Sequence, residues 1–123
     1  MKLTLSDGSV WTAHFHHQFL SEEQAADKLY DVVTSCCIHS GNCVHTGEND
    51  TCTRASYMGI SKCSKKDVFL KAAGRRTALD RALRVNGVDY ELRKQLWDAY
   101  WQVSPHDSRL KARPGQMRGA HAA

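Results

Sequence analysis

The usual sequence signatures of a small enzyme are missing from this 123-residue chain. It has no phosphate-binding P-loop, no G-x-S-x-G nucleophile turn, no H-E-x-x-H and no dinucleotide fingerprint. That removes the familiar sequence grounds for nucleotide hydrolysis, serine hydrolysis, zinc proteolysis and hydride transfer. No apolar run approaches the roughly 20 residues of a membrane span, and MKLTLSDGSV lacks the apolar centre of a secretory leader. A cytosolic chain without membrane association is expected. The five cysteines are an odd number, which argues against a full disulfide framework and for thiols or metal ligands.

What is present fits one domain, large enough to bury a core without obligatory staples. Leu3 and Leu5 alternate with polar neighbours, Asp7-Gly8 supplies a hairpin turn, and Val10 to His17 continues as a second extended run. On that run Trp11, Ala13, Phe15 and His17 share one face, while Val10, Thr12, His14 and His16 share the other. Ser21 with Gln24 forms a capping-box pattern, and the spacing of Ala25, Ala26, Leu29, Tyr30 and Val33 predicts a helix reaching about Thr34. Ser35 to Ile38 suits a short strand, Ser40 to Thr53 is loop-like, and Arg54 to Lys62 alternates as another strand. A long basic helix is predicted from a Ser64 cap to Asn86-Gly87, with Val68, Phe69, Ala72, Leu79 and Leu83 on its apolar side. Gly74 lies opposite that side, so either the helix kinks there or something approaches its backbone closely. Residues 89–103 form a last helix, with a core stripe of Leu92, Leu96, Ala99, Tyr100 and Val103. The expected fold class is α+β, with a three- or four-stranded antiparallel sheet packed against two or three helices. Residues 1–104 make the domain and 105–123 a basic flexible tail.

Charge is polarised along the chain. Three basic residues stand against seven acidic in 1–61, eight against two in 62–84, two against three in 85–104, and four against one beyond. A basic helix of this kind is either paired internally or a footprint for phosphate or an acidic partner. Lys71, Arg75, Arg81 and Arg84 are the candidate contact residues. Arg76 falls inside the apolar stripe, where a guanidinium needs an internal partner, and is expected to be a structural anchor. Tyr90, Trp97 and Trp101 form a second aromatic stripe that either packs on the sheet or meets a partner.

Two constellations offer metal chemistry. Cys36, Cys37, His39, Cys43, His45, Cys52 and Cys63 supply thiol and imidazole donors in approximate short pairs, from which Cys36, His39, Cys43, His45, Cys52 and Cys63 make a candidate structural-zinc set. None of the spacings is that of a standard finger or ribbon, and reduced, partly buried cysteines beside a polar loop are the plainer explanation. His14 and His16, on one face of a strand, could hold a metal or act as acid and base in a small hydrolase. No acidic residue lies nearby in the chain to orient them, and solvent-facing histidines are the plainer explanation.

Asp67, Phe69, Lys71, Gly74, Arg75, Arg76, Ala78, Leu79, Arg81, Ala82 and Leu83, followed by LWDAYW at 96–101, resemble small accessory proteins of bacteriophages and prophages. Many of these carry an F-x-K-x-x-G-R-(K/R)-x-A-L-x-R-A-L helix after a short cysteine-containing sheet. The resemblance implies a non-enzymatic, anti-CRISPR-like protein in the cytoplasm of a bacterial host, binding and inhibiting a host protein or ribonucleoprotein complex that handles nucleic acid. It assigns no catalytic residue. Direct DNA or RNA binding through the basic helix, and a metal-dependent hydrolase built on the strand histidines, are the competing expectations.

Overall fold

A computed structural model describes residues 1–43 and 57–105. The chain is an α+β fold: β1 (Lys2–Thr4), β2 (Val10–Phe19), α1 (Glu22–Ala25), β3 (Tyr30–Ser40), β4 (Tyr57–Ser64), α2 (Lys71–Val85) and α3 (Tyr90–Val103). The four strands form one antiparallel sheet in the order β1-β2-β3-β4. At the first turn the Asp7 carboxylate accepts from the Ser9 backbone and hydroxyl at 2.9 and 2.6 Å, and Gly8 takes φ +86°. The Asp-Gly pair thus makes the hairpin expected of it.

The first predicted helix is cut short. Its capping box forms, with Ser21 Oγ accepting from Gln24 N and Gln24 Oε1 from Ser21 N, yet helix α1 stops at Ala25. From Tyr30 the chain becomes the longest strand, and Leu29 is left 87% exposed. Periodicity alone fits Leu29, Tyr30 and Val33 to a helix, but Val32, Val33 and Thr34 are β-branched. Pairing on both sides, with β2 and β4, satisfies their backbone throughout.

The central helix is shortened too. Ser64 ends β4 opposite Tyr30 instead of capping α2, which starts at Lys71 after an extended Leu70 with no side-chain cap. Val68 is 85% exposed, and Phe69 lies against the rings of His17 and Phe19 outside the helix. The buried side of α2 is Gly74, Ala78, Leu79, Ala82 and Leu83. Gly74 therefore faces the sheet: a Cβ there would stand 2.5 Å from Thr34 Oγ1, while α2 runs unbroken past it. Gly59 on β4 is matched to Ala78 and Ala82, whose backbone a Cβ at 59 would penetrate. Small residues on both elements bring helix and sheet close together.

Gly87, at φ +67°, ends α2 as the Asn-Gly pair predicts, with Val88 N donating to Leu83 O. Asp89 then caps α3 by accepting from Leu92 N at 2.9 Å. Leu96, Ala99 and Tyr100 bury as read from the sequence, while Val103 remains exposed. The two helices lie on the sheet face that carries Leu3, Ala13, Cys36 and Ile38. The opposite face carries His14, His16, Cys37, His39, Met58 and Ile60, the last two exposed. No helix among the described residues is long and apolar enough to cross a membrane.

Candidate metal centre

On the face away from the helices, β2 and β3 set Thr12 opposite His39 and His14 opposite Cys37. Directly paired residues of antiparallel strands project to the same side, so these four make a two-by-two square with the histidines on one diagonal. Their rings stack at 5.4 Å between centroids, and the two Nε2 atoms meet at 3.3 Å. His39 Nδ1 lies 2.9 Å from the Ser40 carbonyl oxygen. A carbonyl only accepts, so Nδ1 carries the proton and Nε2 of neutral His39 presents its lone pair toward His14.

The third donor arrives by a turn. Gly41, at φ +86°, lets the chain leave β3 and fold back, with Gly41 N donating to Val10 O at 2.6 Å and Thr12 Oγ1 donating to Gly41 O at 2.7 Å. That carries Cys43 to the histidines. His14 and His39 ring nitrogens and Cys43 Sγ all lie within 4.8 Å of one another. His39 is only 2% exposed, while His14 and Cys43 are half-buried, so the cluster is accessible from solvent on one side. Two nitrogens bound at about 2.0–2.1 Å to a tetrahedral ion stand about 3.3–3.4 Å apart, which matches the imidazole pair as it stands. Borderline-soft ions such as zinc take this donor set of two imidazoles and a thiolate.

The other expected ligands separate. Cys36 is wholly buried on the helix side, where burial pushes its thiol far above the ordinary range. Cys63 sits opposite Val32 on that same side, its thiol raised by burial and then by Asp31 and Asp67. Both project from the sheet face opposite His39, and neither joins the His14, His39 and Cys43 group. His45 and Cys52 lie outside the described residues, as does the tail. No disulfide joins the described cysteines. Sequence spacing pairs His14 with His16, whereas its neighbour across the sheet is His39, 25 residues on. His16 is exposed opposite Ser35, two positions further along β2. The signal that could have found the pair is strand parity, which places 12, 14 and 16 with 37 and 39. The helical spacing of apolar residues up to Thr34 hides it.

The basic and aromatic candidates are distributed. Lys71 is exposed at the start of α2, and Arg75 is half-buried. Arg76 is half-buried and reaches back along its own helix, Nε donating to Ala72 O at 3.4 Å. Arg81 Nη1 donates to Ile60 O at 2.8 Å, and Arg84 Nε lies 2.8 Å from Asp80 Oδ1. Two of the outward-facing arginines thus serve the fold itself. Trp97 and Trp101 stack at 5.1 Å and meet the buried Tyr100 edge-on, leaving both half-buried against the core; Tyr90 is exposed.

Comparison with known proteins gave no match among family models, curated sequences or solved structures.

Proposed function

We propose that this chain is a non-enzymatic metal-binding protein that takes up one zinc-class ion through His14, His39 and Cys43. The observation that carries this reading is the 3.3 Å approach of the two imidazole Nε2 atoms beside Cys43 Sγ. The ion would join β2, β3 and the turn after β3, so its role is to fasten that turn across the uncovered face. An enzymatic reading has less support, because the cluster contains no carboxylate to act as a base.

Zinc competition against a chromophoric chelator tests the assignment. One equivalent should bind, and His39→Ala or Cys43→Ser should weaken binding by about 100-fold, since each removes one of a few strong bonds. Unchanged affinity in both variants would overturn it.

A second reading, inhibition of a host nucleic-acid-handling complex in the manner of an anti-CRISPR, is favoured by the exposed Lys71, Arg81 and Arg84 on α2 and by the phage-like pattern of that helix. Lys71→Glu with Arg84→Glu should abolish capture of such a partner without unfolding the chain. Affinity for bare DNA or RNA that falls steeply with salt would point instead to direct nucleic-acid binding.

A further inference from the structure

We infer that Cys37 is the fourth ligand, closing the centre as a tetrahedral two-thiolate, two-imidazole zinc site of the structural kind. The inference rests on the metal-binding reading above and adds the residue that decides between a closed site and one with an open, reactive position.

The strand register carries the argument. Cys37 is paired directly with His14 and precedes His39 by two positions, so it projects from the same face as both. Thr12, His14, Cys37 and His39 are the corners of one square, and the histidine rings lean along a diagonal until their Nε2 atoms meet. An ion bonded to both nitrogens sits above the middle of the square, between the Thr12 and Cys37 corners; the Cys37 thiol stands outside the His14, His39 and Cys43 group as placed and joins it by turning. Directly opposed Cβ atoms on antiparallel strands are about 4.5–5.5 Å apart, so rotation about χ1 aims the Cys37 thiolate toward the side of the square where His14 stands. The fourth corner is already used: Thr12 Oγ1 holds Gly41 O and with it the turn that delivers Cys43. Cysteine 37 is half-buried, unlike Cys36, which points into the core from the adjacent position.

Binding is then a proton exchange that balances. The dication displaces one proton from each of two thiols to solvent, and the two imidazoles bind as neutral ligands. Two positive charges on the ion meet two thiolates, leaving a neutral centre, which suits the buried His39 side of the site.

Cobalt(II) in place of zinc reads the ligands directly, using the full chain. The wild type should give the intense visible bands of a tetrahedral ion and thiolate-to-cobalt charge transfer from two sulfurs. Cys37→Ser should halve the charge-transfer intensity and weaken binding by about 100-fold, with Cys63→Ser unchanged as the control. Calorimetric zinc titration in buffers of different ionisation enthalpy should show two protons released by the wild type and one by Cys37→Ser. Metal should also shield Cys37 and Cys43, but not Cys63, from alkylation. One proton released by the wild type, with a cobalt spectrum that Cys37→Ser leaves unchanged, would overturn the inference while leaving a three-ligand site. A two-thiolate spectrum that survives Cys37→Ser would overturn it by placing the second sulfur elsewhere. Metal binding indifferent to both His39→Ala and Cys43→Ser would instead remove the underlying site. Thermal unfolding of each metal-free variant separates ligand loss from misfolding.

Discussion

At the scale of single residues, two glycines and one cysteine bear the tightest constraints. Gly59 lies under the backbone of Ala78 and Ala82, and Gly74 over the side chain of Thr34. A methyl group at 59 meets atoms that cannot move without shifting the whole helix. Gly59→Ala should therefore cost about 3 kcal/mol or more, the upper end of overpacking penalties, measured by urea unfolding. Gly74→Ala gains about 1 kcal/mol of helix propensity but crowds Thr34 Oγ1, which is held by His17 Nδ1 at 2.8 Å. Its net cost should be smaller, and Thr34→Ala should relieve it, giving a non-additive double mutant.

Cys36 has a pH signature. Burial raises its thiol above the ordinary value of 9.0, so above that pH the unfolded chain loses a proton that the folded chain keeps. The unfolded state then binds fewer protons, and stability falls as pH rises past about 9, with a slope approaching 1.4 kcal/mol per pH unit. Urea midpoints of the metal-free protein at pH 8 and 10 should separate further in the wild type than in Cys36→Ala. Equal separations would assign the alkaline loss to other groups.

At the scale of elements, α2 does more than cover the sheet. Strand β4 is an edge among the described strands, and its outward carbonyls at Met58 and Ile60 accept from Asn86 Nδ2 and Arg81 Nη1 at 3.2 and 2.8 Å. Those long side chains occupy the positions where another strand would pair. Met58 and Ile60 are also exposed on the uncovered face, so an unguarded edge would be apolar as well as open. Arg81→Ala with Asn86→Ala should make the protein self-associate with increasing concentration, detectable by sedimentation velocity. A variant that stays monomeric at the highest concentration reached would show that the edge is protected by other means. Arg84 contributes little by comparison, because its pair with Asp80 is exposed and of the kind worth about 0.3–0.5 kcal/mol.

Element boundaries were legible where local chemistry determines them. The Asp7-Gly8 hairpin, the Ser21 capping box, the Asn86-Gly87 stop and α3 all follow from nearby residues. Boundaries set by pairing were not. Residues 30–34 become strand because β2 and β4 flank them, and Ser64 becomes a strand end because Tyr30 lies opposite. Both competing partners are remote in sequence, so a helical spacing of apolar residues could not reveal them.

At the scale of the whole molecule, the sheet has two unlike faces, one closed by α2 and α3 and one that carries the His and Cys cluster. The proposed metal binding would couple the second face to global stability, since the turn through Cys43 is part of the cluster only when folded. A ligand that binds only the native state stabilises it by about 2.7 kcal/mol at 100 times its dissociation constant. Zinc at that excess should raise the unfolding temperature of the wild type, and chelator should reverse the shift. The shift should be lost in Cys43→Ser. An identical response in that variant would mean that zinc stabilises the chain from some other place.

Local patterns along the chain suffice for the α+β class, the antiparallel sheet, the two-faced second strand, the stops of both long helices and a supply of thiols and imidazoles. These depend on alternation, turn residues and caps, which act within a few positions. Three-dimensional packing makes Gly74 a contact rather than a kink and Arg81 an edge guard. It alone separated Cys36 from Cys37 by the thickness of the sheet. It also joined His14 to His39 and Cys43, because a cluster of this kind is a distance between strands, and strand register is settled by the packing of the whole chain.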